Sequence, residues 1–120
     1  MPSIDETLAR ARARLDRVTP ANLEAEVNAG ALVIDVRDSA IRHEEGELPG
    51  AHVVDLTVLE WRLAPSSDSR TFDLASGQKV ILVCSDGYSS SLAAARLIDL
   101  GVAGATDLVG GYRAWRAMPT

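Results

Sequence analysis

The chain contains one cysteine, Cys84, in 120 residues. An internal disulfide is therefore excluded, and a lone thiol with only His43 and His52 for company falls short of a structural zinc site, so no metal is expected. A chain without disulfides fits a reducing compartment. Aromatic residues make up only 4%, so aliphatic side chains must build most of the core. No hydrophobic run is long enough to span a bilayer, and the amino-terminal MPSIDETLAR has no apolar signal core; a cytoplasmic location is the expectation. Positive charge is in deficit. A formal net charge of -5 argues against general binding to nucleic acid or to an acidic membrane. The one basic run, Arg10, Arg12, Arg14 and Arg17, is diluted by Asp5, Glu6 and Asp16 and reads as a solvated helix face.

What is present suits one soluble domain with one core: 47% hydrophobic and 24% charged residues. Ser3 and Glu6 have capping-box spacing. Ile4, Leu8, Ala11, Leu15 and Val18 then recur at helical steps, which predicts an amphipathic helix packed onto the domain. Thr19-Pro20 opens a second short helix that carries Leu23 and Val27 and stops at Gly30. Leu32 to Val36 reads as a strand buried on both faces. The charged stretch from Asp38 to Gly50 reads as a loop ending in a turn. AHVVDL suggests another strand, and Thr57 with Glu60 repeats the capping-box spacing before VLEWRL, which Pro65 ends. Lys79 to Cys84 is the next buried strand, followed by a helix from about Ser90 to Leu100. ATDLVG suggests a last strand, and Gly110-Gly111 leads into the helix YRAWRAM. Strands alternating with helices imply parallel pairing, right-handed crossovers and a three-layer α/β domain. Ligands then sit beyond the carboxyl ends of the strands, where Cys84, the segment Asp35 to Asp38 and Gly110-Gly111 should converge.

Cys84 carries the chemistry in this pattern. It lies between a strand and a helix, where the amides of Ser85 to Ser90 can turn toward one point and the positive end of the helix dipole adds to them. Such a setting favours thiolate, the reactive form of cysteine. Gly87 permits a left-handed turn close to the sulfur. Ser89, Ser90 and Ser91 can cap the helix or donate hydroxyls to an anion. The plain alternative is a buried structural cysteine beside ordinary helix-capping serines.

Four short pieces, in order, carry a resemblance: IDVRD at Ile34 to Asp38, LPGA at Leu48 to Ala51, CSDGYSS at Cys84 to Ser90, and GGYRAW at Gly110 to Trp115. On these the chain resembles a single-domain rhodanese from about Val18 to Met118. The resemblance implies a three-layer αβα domain, residues 18–120, with a mainly parallel sheet of about five strands; the apolar period reads residues 1–17 as the helix packed on it. The resemblance also implies sulfurtransferase chemistry without a cofactor. Cys84 would accept sulfane sulfur from a small thiosulfate- or mercaptopyruvate-like donor as a persulfide, then pass it to a thiol or cyanide-like acceptor. Ser85, Asp86, Gly87, Tyr88, Ser89 and Ser90 would form the active loop, with Tyr88 at its mouth. Asp35 and Arg37 would support the loops beside the site.

Two departures from the family pattern bear on the donor. Ser89 stands where the family often has an arginine, and Glu47 stands where a histidine usually precedes the proline turn. With Asp86 added, the loop has no positive side chain to hold a dianion. Arg62 is the first candidate to reach in, followed by Arg37, Arg42 and Arg113. Trp61 and Trp115 are expected to pack, and His43 and His52 to lie on the surface or in loops. Two other classes compete. One is a non-catalytic sulfur-binding or sensing module. The other is a related phosphatase or arsenate reductase, disfavoured because Ser90 occupies the place of the arginine such a loop needs six positions after its cysteine.

Overall fold

The computed structural model describes residues 1–119. Four short strands form one parallel sheet: β1 (Leu32–Asp35), β2 (His52–Val53), β3 (Val80–Val83) and β4 (Ala105–Asp107), in the order β2-β1-β3-β4. The helices are α1 (Ile4–Ala13), α2 (Leu23–Asn28), α3 (Ser39–Glu45), α4 (Leu59–Leu63), α5 (Ser89–Asp99) and α6 (Gly111–Arg116). Single 3-10 turns lead into α2 and α4.

Side chains alternate across a strand, so each run of buried residues feeds two cores. Ile34, Val36, Val80, Leu82 and Cys84 join Leu59, Leu63, Ala93, Ala94 and Leu97 on the α4 and α5 side. Val33, Ile81 and Val83 join Val18, Leu23, Leu108 and Tyr112 on the α2 and α6 side. This is the expected αβα sandwich, with β3 at its centre and all four β3 residues buried.

Among the described residues the strand count is four rather than about five. At the β4 edge, Val18 makes a single parallel bridge to Leu108: its amide donates to the Asp107 carbonyl at 3.0 Å, and the Val109 amide donates to its carbonyl at 2.8 Å. Pro20, which has no amide hydrogen, starts a 3-10 turn two residues later, so this pairing does not lengthen into a strand. At the opposite edge β2 is shorter than AHVVDL, because Asp55 caps the next turn by accepting from the Thr57 amide at 2.8 Å. That cap replaces the expected Thr57–Glu60 box; Glu60 pairs with Arg96 instead.

The stretch read as a loop from Asp38 to Gly50 contains α3. Asp38 caps it by accepting from the Ile41 amide at 2.9 Å. The helix buries no residue completely and has no apolar stripe to betray it in sequence. α1 is capped by Ser3 as expected but ends at Ala13, leaving Leu15 and Val18 beyond it. It packs on α5, on the outside of the domain.

Candidate active site at Cys84

Cys84 follows the last residue of β3 and is free and buried. The chain then turns through Ser85–Tyr88 and enters α5 at Ser89. Gly87 takes φ +83°, a left-handed conformation, and a Cβ there would sit 2.9 Å from the Gly110 amide nitrogen. Glycine is required on both counts. The start of α6 fastens the loop from the other side: the Tyr112 amide donates to the Cys84 carbonyl at 2.8 Å and the Arg113 amide to the Ser85 carbonyl at 3.1 Å.

The sulfur has two close polar partners. The Gly87 amide donates to Sγ at 3.2 Å, and the Cys84 thiol donates to the Ser90 hydroxyl at 3.2 Å. Burial opposes ionisation of Cys84 and is the largest single influence on it. Hydrogen bonds available to the thiolate from the Ser90 and Ser89 hydroxyls and the Ser90 and Gly87 amides together outweigh it, so the thiol is held below the usual cysteine range.

Cys84 opens on a cavity of about 350 Å³. It is lined by Ser85 and Ser89, by Val36, Ile41 and Tyr88, and by the charged Arg37, Asp38 and Asp86. Tyr88 is exposed at the mouth, and the Arg12 guanidinium lies 5.3 Å from its ring centre.

Arg37 lines this cavity with four of its five N–H groups engaged. It donates to Asp35 through Nε (3.0 Å) and Nη2 (2.6 Å), to Glu45 (3.2 Å) and to the Gly46 carbonyl (3.0 Å), and it lies 4.0 Å from the centre of the Tyr112 ring. Burial works against its charge, yet Asp35 and Glu45 hold that charge more firmly than water would. Glu45 is the hub of this corner. It accepts from Ser85 (2.9 Å), Arg37 and Arg113, and although burial pulls the other way these donors hold its carboxyl below the usual range.

The remaining arginines are distributed differently from expectation. Arg113 pairs with Asp86 (2.9 Å) and Glu45 (2.8 Å). Arg42 bonds the Arg37 carbonyl and Glu47. Arg62 is not brought to Cys84: it donates to the Ser69 carbonyl and lines a separate hollow with His52 and Phe72, because α4 points it toward the 66–72 loop. His43 and His52 are exposed, and Trp115 packs on Tyr112. Trp61 is exposed instead of packed.

The basic run at the amino terminus is not wholly solvated. Arg12 donates to the Gly87 carbonyl at 2.7 Å and to the Ser91 hydroxyl at 3.2 Å. Arg17 donates to the same carbonyl at 3.2 Å and to both oxygens of Asp107, at 2.8 and 3.3 Å. Nothing in the spacing separates these two from Arg10 and Arg14. Asp107 had a visible signal, an acid within the otherwise uncharged ATDLVG.

A strand delivering a thiol to an amide-lined loop at the head of a helix, braced by a Gly-Gly turn, defines the class. The rhodanese-like domain family model matches residues 19–118, and the chain belongs to that family. Among curated proteins it is 32% identical over 101 residues to the thiosulfate sulfurtransferase GlpE of Pseudomonas fluorescens, covering 83% of this chain and 84% of the relative. A solved structure from Rhodopseudomonas palustris, described as a protein of unknown function and possible tyrosine phosphatase, superposes with TM-score 0.82 at 26% identity, covering 97% of this chain and 90% of that one. The human single-domain sulfurtransferase TSTD1 shares the fold at TM-score 0.70 and 23% identity, over 87% of this chain and 97% of that one.

Proposed function

We propose that this protein is a sulfurtransferase that carries sulfane sulfur as a persulfide on Cys84. The observation that carries the reading is the buried Cys84 sulfur, which receives the Gly87 amide at 3.2 Å and opens on the cavity described above. The thiolate attacks the outer sulfur of the donor. A new sulfur–sulfur bond forms at Sγ, the donor's own bond breaks, and the leaving group departs with the electron pair: sulfite, when the donor is thiosulfate. The terminal persulfide sulfur keeps one negative charge. The loop amides and the hydroxyls of Ser89 and Ser90 serve that anion as they serve the thiolate. An acceptor such as cyanide or a thiolate then bonds to the terminal sulfur, and Cys84 leaves as thiolate.

Asp35 and Arg37 act through position, keeping the segment after β1 in place beside the cavity. The donor is a small sulfane such as thiosulfate, the substrate named for the curated relative. Incubation with thiosulfate or 3-mercaptopyruvate should add one sulfur to Cys84 by mass spectrometry, and cyanide should then release thiocyanate. Absence of both signals with every donor tried would sink the reading.

A second reading has one observation behind it. The cavity is lined by Asp38 and Asp86, while its arginine is already bound to Asp35 and Glu45. Among the described residues lining the cavity Arg37 is the one cation, and its ties to Asp35 and Glu45 suit a thiol that binds or senses sulfur without rapid turnover. Sulfur uptake on Cys84 with no release to any acceptor would favour it. Phosphate transfer is disfavoured, because Ser90 offers a hydroxyl where a phosphate-binding loop needs a cation.

A further inference from the structure

A charged network built on the buried Asp107 and on Arg17, neither of which lines the cavity, reaches Cys84 through Ser90. Asp107, the last residue of β4, is fully buried. Its Oδ2 accepts from the hydroxyls of Ser90 and Ser91, each at 2.7 Å, and Arg17 grips both its oxygens. Ser90 in turn touches the Cys84 sulfur. A hydroxyl has one proton. With Cys84 as a thiol, the chain is consistent: the thiol donates to Ser90, and Ser90 donates to Asp107. With Cys84 as an anion, the sulfur and the carboxylate compete for that same proton. The carboxylate's pull depends on how fully Arg17 and Ser91 satisfy it. The family match begins at residue 19, so Arg17, like Arg12 on the Gly87 carbonyl, comes from the segment ahead of it.

We infer that Asp107 is a positioning residue that acts through the Ser90 hydroxyl to set how readily the Cys84 sulfur ionises, and that Arg17 tempers its pull. The inference rests on the reading of Cys84 as a reactive thiol. Other charged groups surround the sulfur without a hydrogen bond to it among the described residues. Arg37 is held by Asp35 and Glu45, and Glu45 reaches the loop through Ser85 and, by way of Arg113, Asp86. Asp38 caps α3, Asp86 and Arg113 pair at the rim, and Arg12 stops at the Gly87 carbonyl and Ser91.

The test is the pH dependence of Cys84 alkylation by iodoacetamide, with melting temperature followed in parallel. Asp107→Asn should release the Ser90 proton to the sulfur and move the midpoint to lower pH. A hydrogen bond to an ion is worth about tenfold in thiolate fraction. Lower intrinsic nucleophilicity takes back about threefold, leaving a rate gain of about threefold below the midpoint. Arg17→Gln should move the midpoint upward, because the less satisfied carboxylate holds Ser90 harder. Ser90→Ala should also raise it, and the Ser90→Ala, Asp107→Asn pair should match Ser90→Ala alone.

A folded Asp107→Asn protein with an unmoved midpoint overturns the inference, whatever its melting temperature. If that variant does not fold, Arg17→Gln decides alone, and an unmoved midpoint again overturns it. A wild-type protein that alkylates like free cysteine would instead remove the reading of Cys84 itself.

Discussion

Two aspartate–arginine pairs stand at the carboxyl ends of the strands that flank β3, and they are built in opposite ways. Asp35 and Arg37 are two residues apart, both buried, and tied to Glu45, Gly46 and Tyr112. Asp107 and Arg17 are ninety positions apart, and their carboxylate is coupled to the sulfur through Ser90. The first pair is closed: every strong donor of Arg37 ends on a neighbour that does not touch Sγ. The second is open toward the chemistry. Similar ion pairs therefore serve different ends according to what the carboxylate's remaining lone pairs reach.

The largest expected effect tests the centre of this arrangement. Cys84→Ser should lose sulfur uptake and thiocyanate formation completely, as read by mass spectrometry and a cyanide assay; residual uptake would point to a site other than Cys84. Next comes the closed pair. Arg37→Ala strands Asp35 without its partner, which should destabilise the fold by about 3–5 kcal/mol, measured by denaturant unfolding. A change under about 1 kcal/mol would show that water replaces the arginine easily. Asp35→Asn should lower stability while leaving the alkylation midpoint of Cys84 in place, the reverse of the expectation for Asp107→Asn. A moved midpoint there would erase the distinction between the two pairs.

A smaller effect follows from the ionisation of Cys84. Its thiol is held below the usual range in the fold. The thiolate's contribution to stability is therefore full above the unfolded value of about 8.5 and is lost as pH falls through the depressed folded value. The melting temperature of wild type relative to Cys84→Ser should rise with pH across that window and level off above it. A flat difference would contradict a depressed thiol. The smallest effect is expected from Arg62→Ala. Since Arg62 lines another hollow, sulfur uptake should stay within about twofold of wild type, well under the tenfold of about 1.4 kcal/mol. A larger loss would return Arg62 to the donor site.

Much of the first pair could be read in advance. IDVRD places an acid at a strand end and an arginine two residues on, and local geometry does the rest. The strands at Leu32 and Val80 were equally legible, since continuous aliphatic runs have few alternatives to a doubly covered sheet. α3 was not, because a seven-residue helix held by a cap and ion pairs has no apolar period. Arg12 and Arg17 were hidden in a run of similar arginines, and tertiary packing selects these two: α1 against α5 brings Arg12 to the loop, and the Val18–Leu108 bridge beyond that helix brings Arg17.

By itself, the order of residues determined that a buried strand runs up to Cys84, that a glycine turn follows, and that a helix begins with serines. Each of these depends on local propensity and on hydrophobic period. Tertiary structure decided which charges face that sulfur: Arg62 is turned away toward another hollow, and Asp107 is brought against Ser90. Such choices depend on distances between segments far apart in the chain, and no local pattern encodes them.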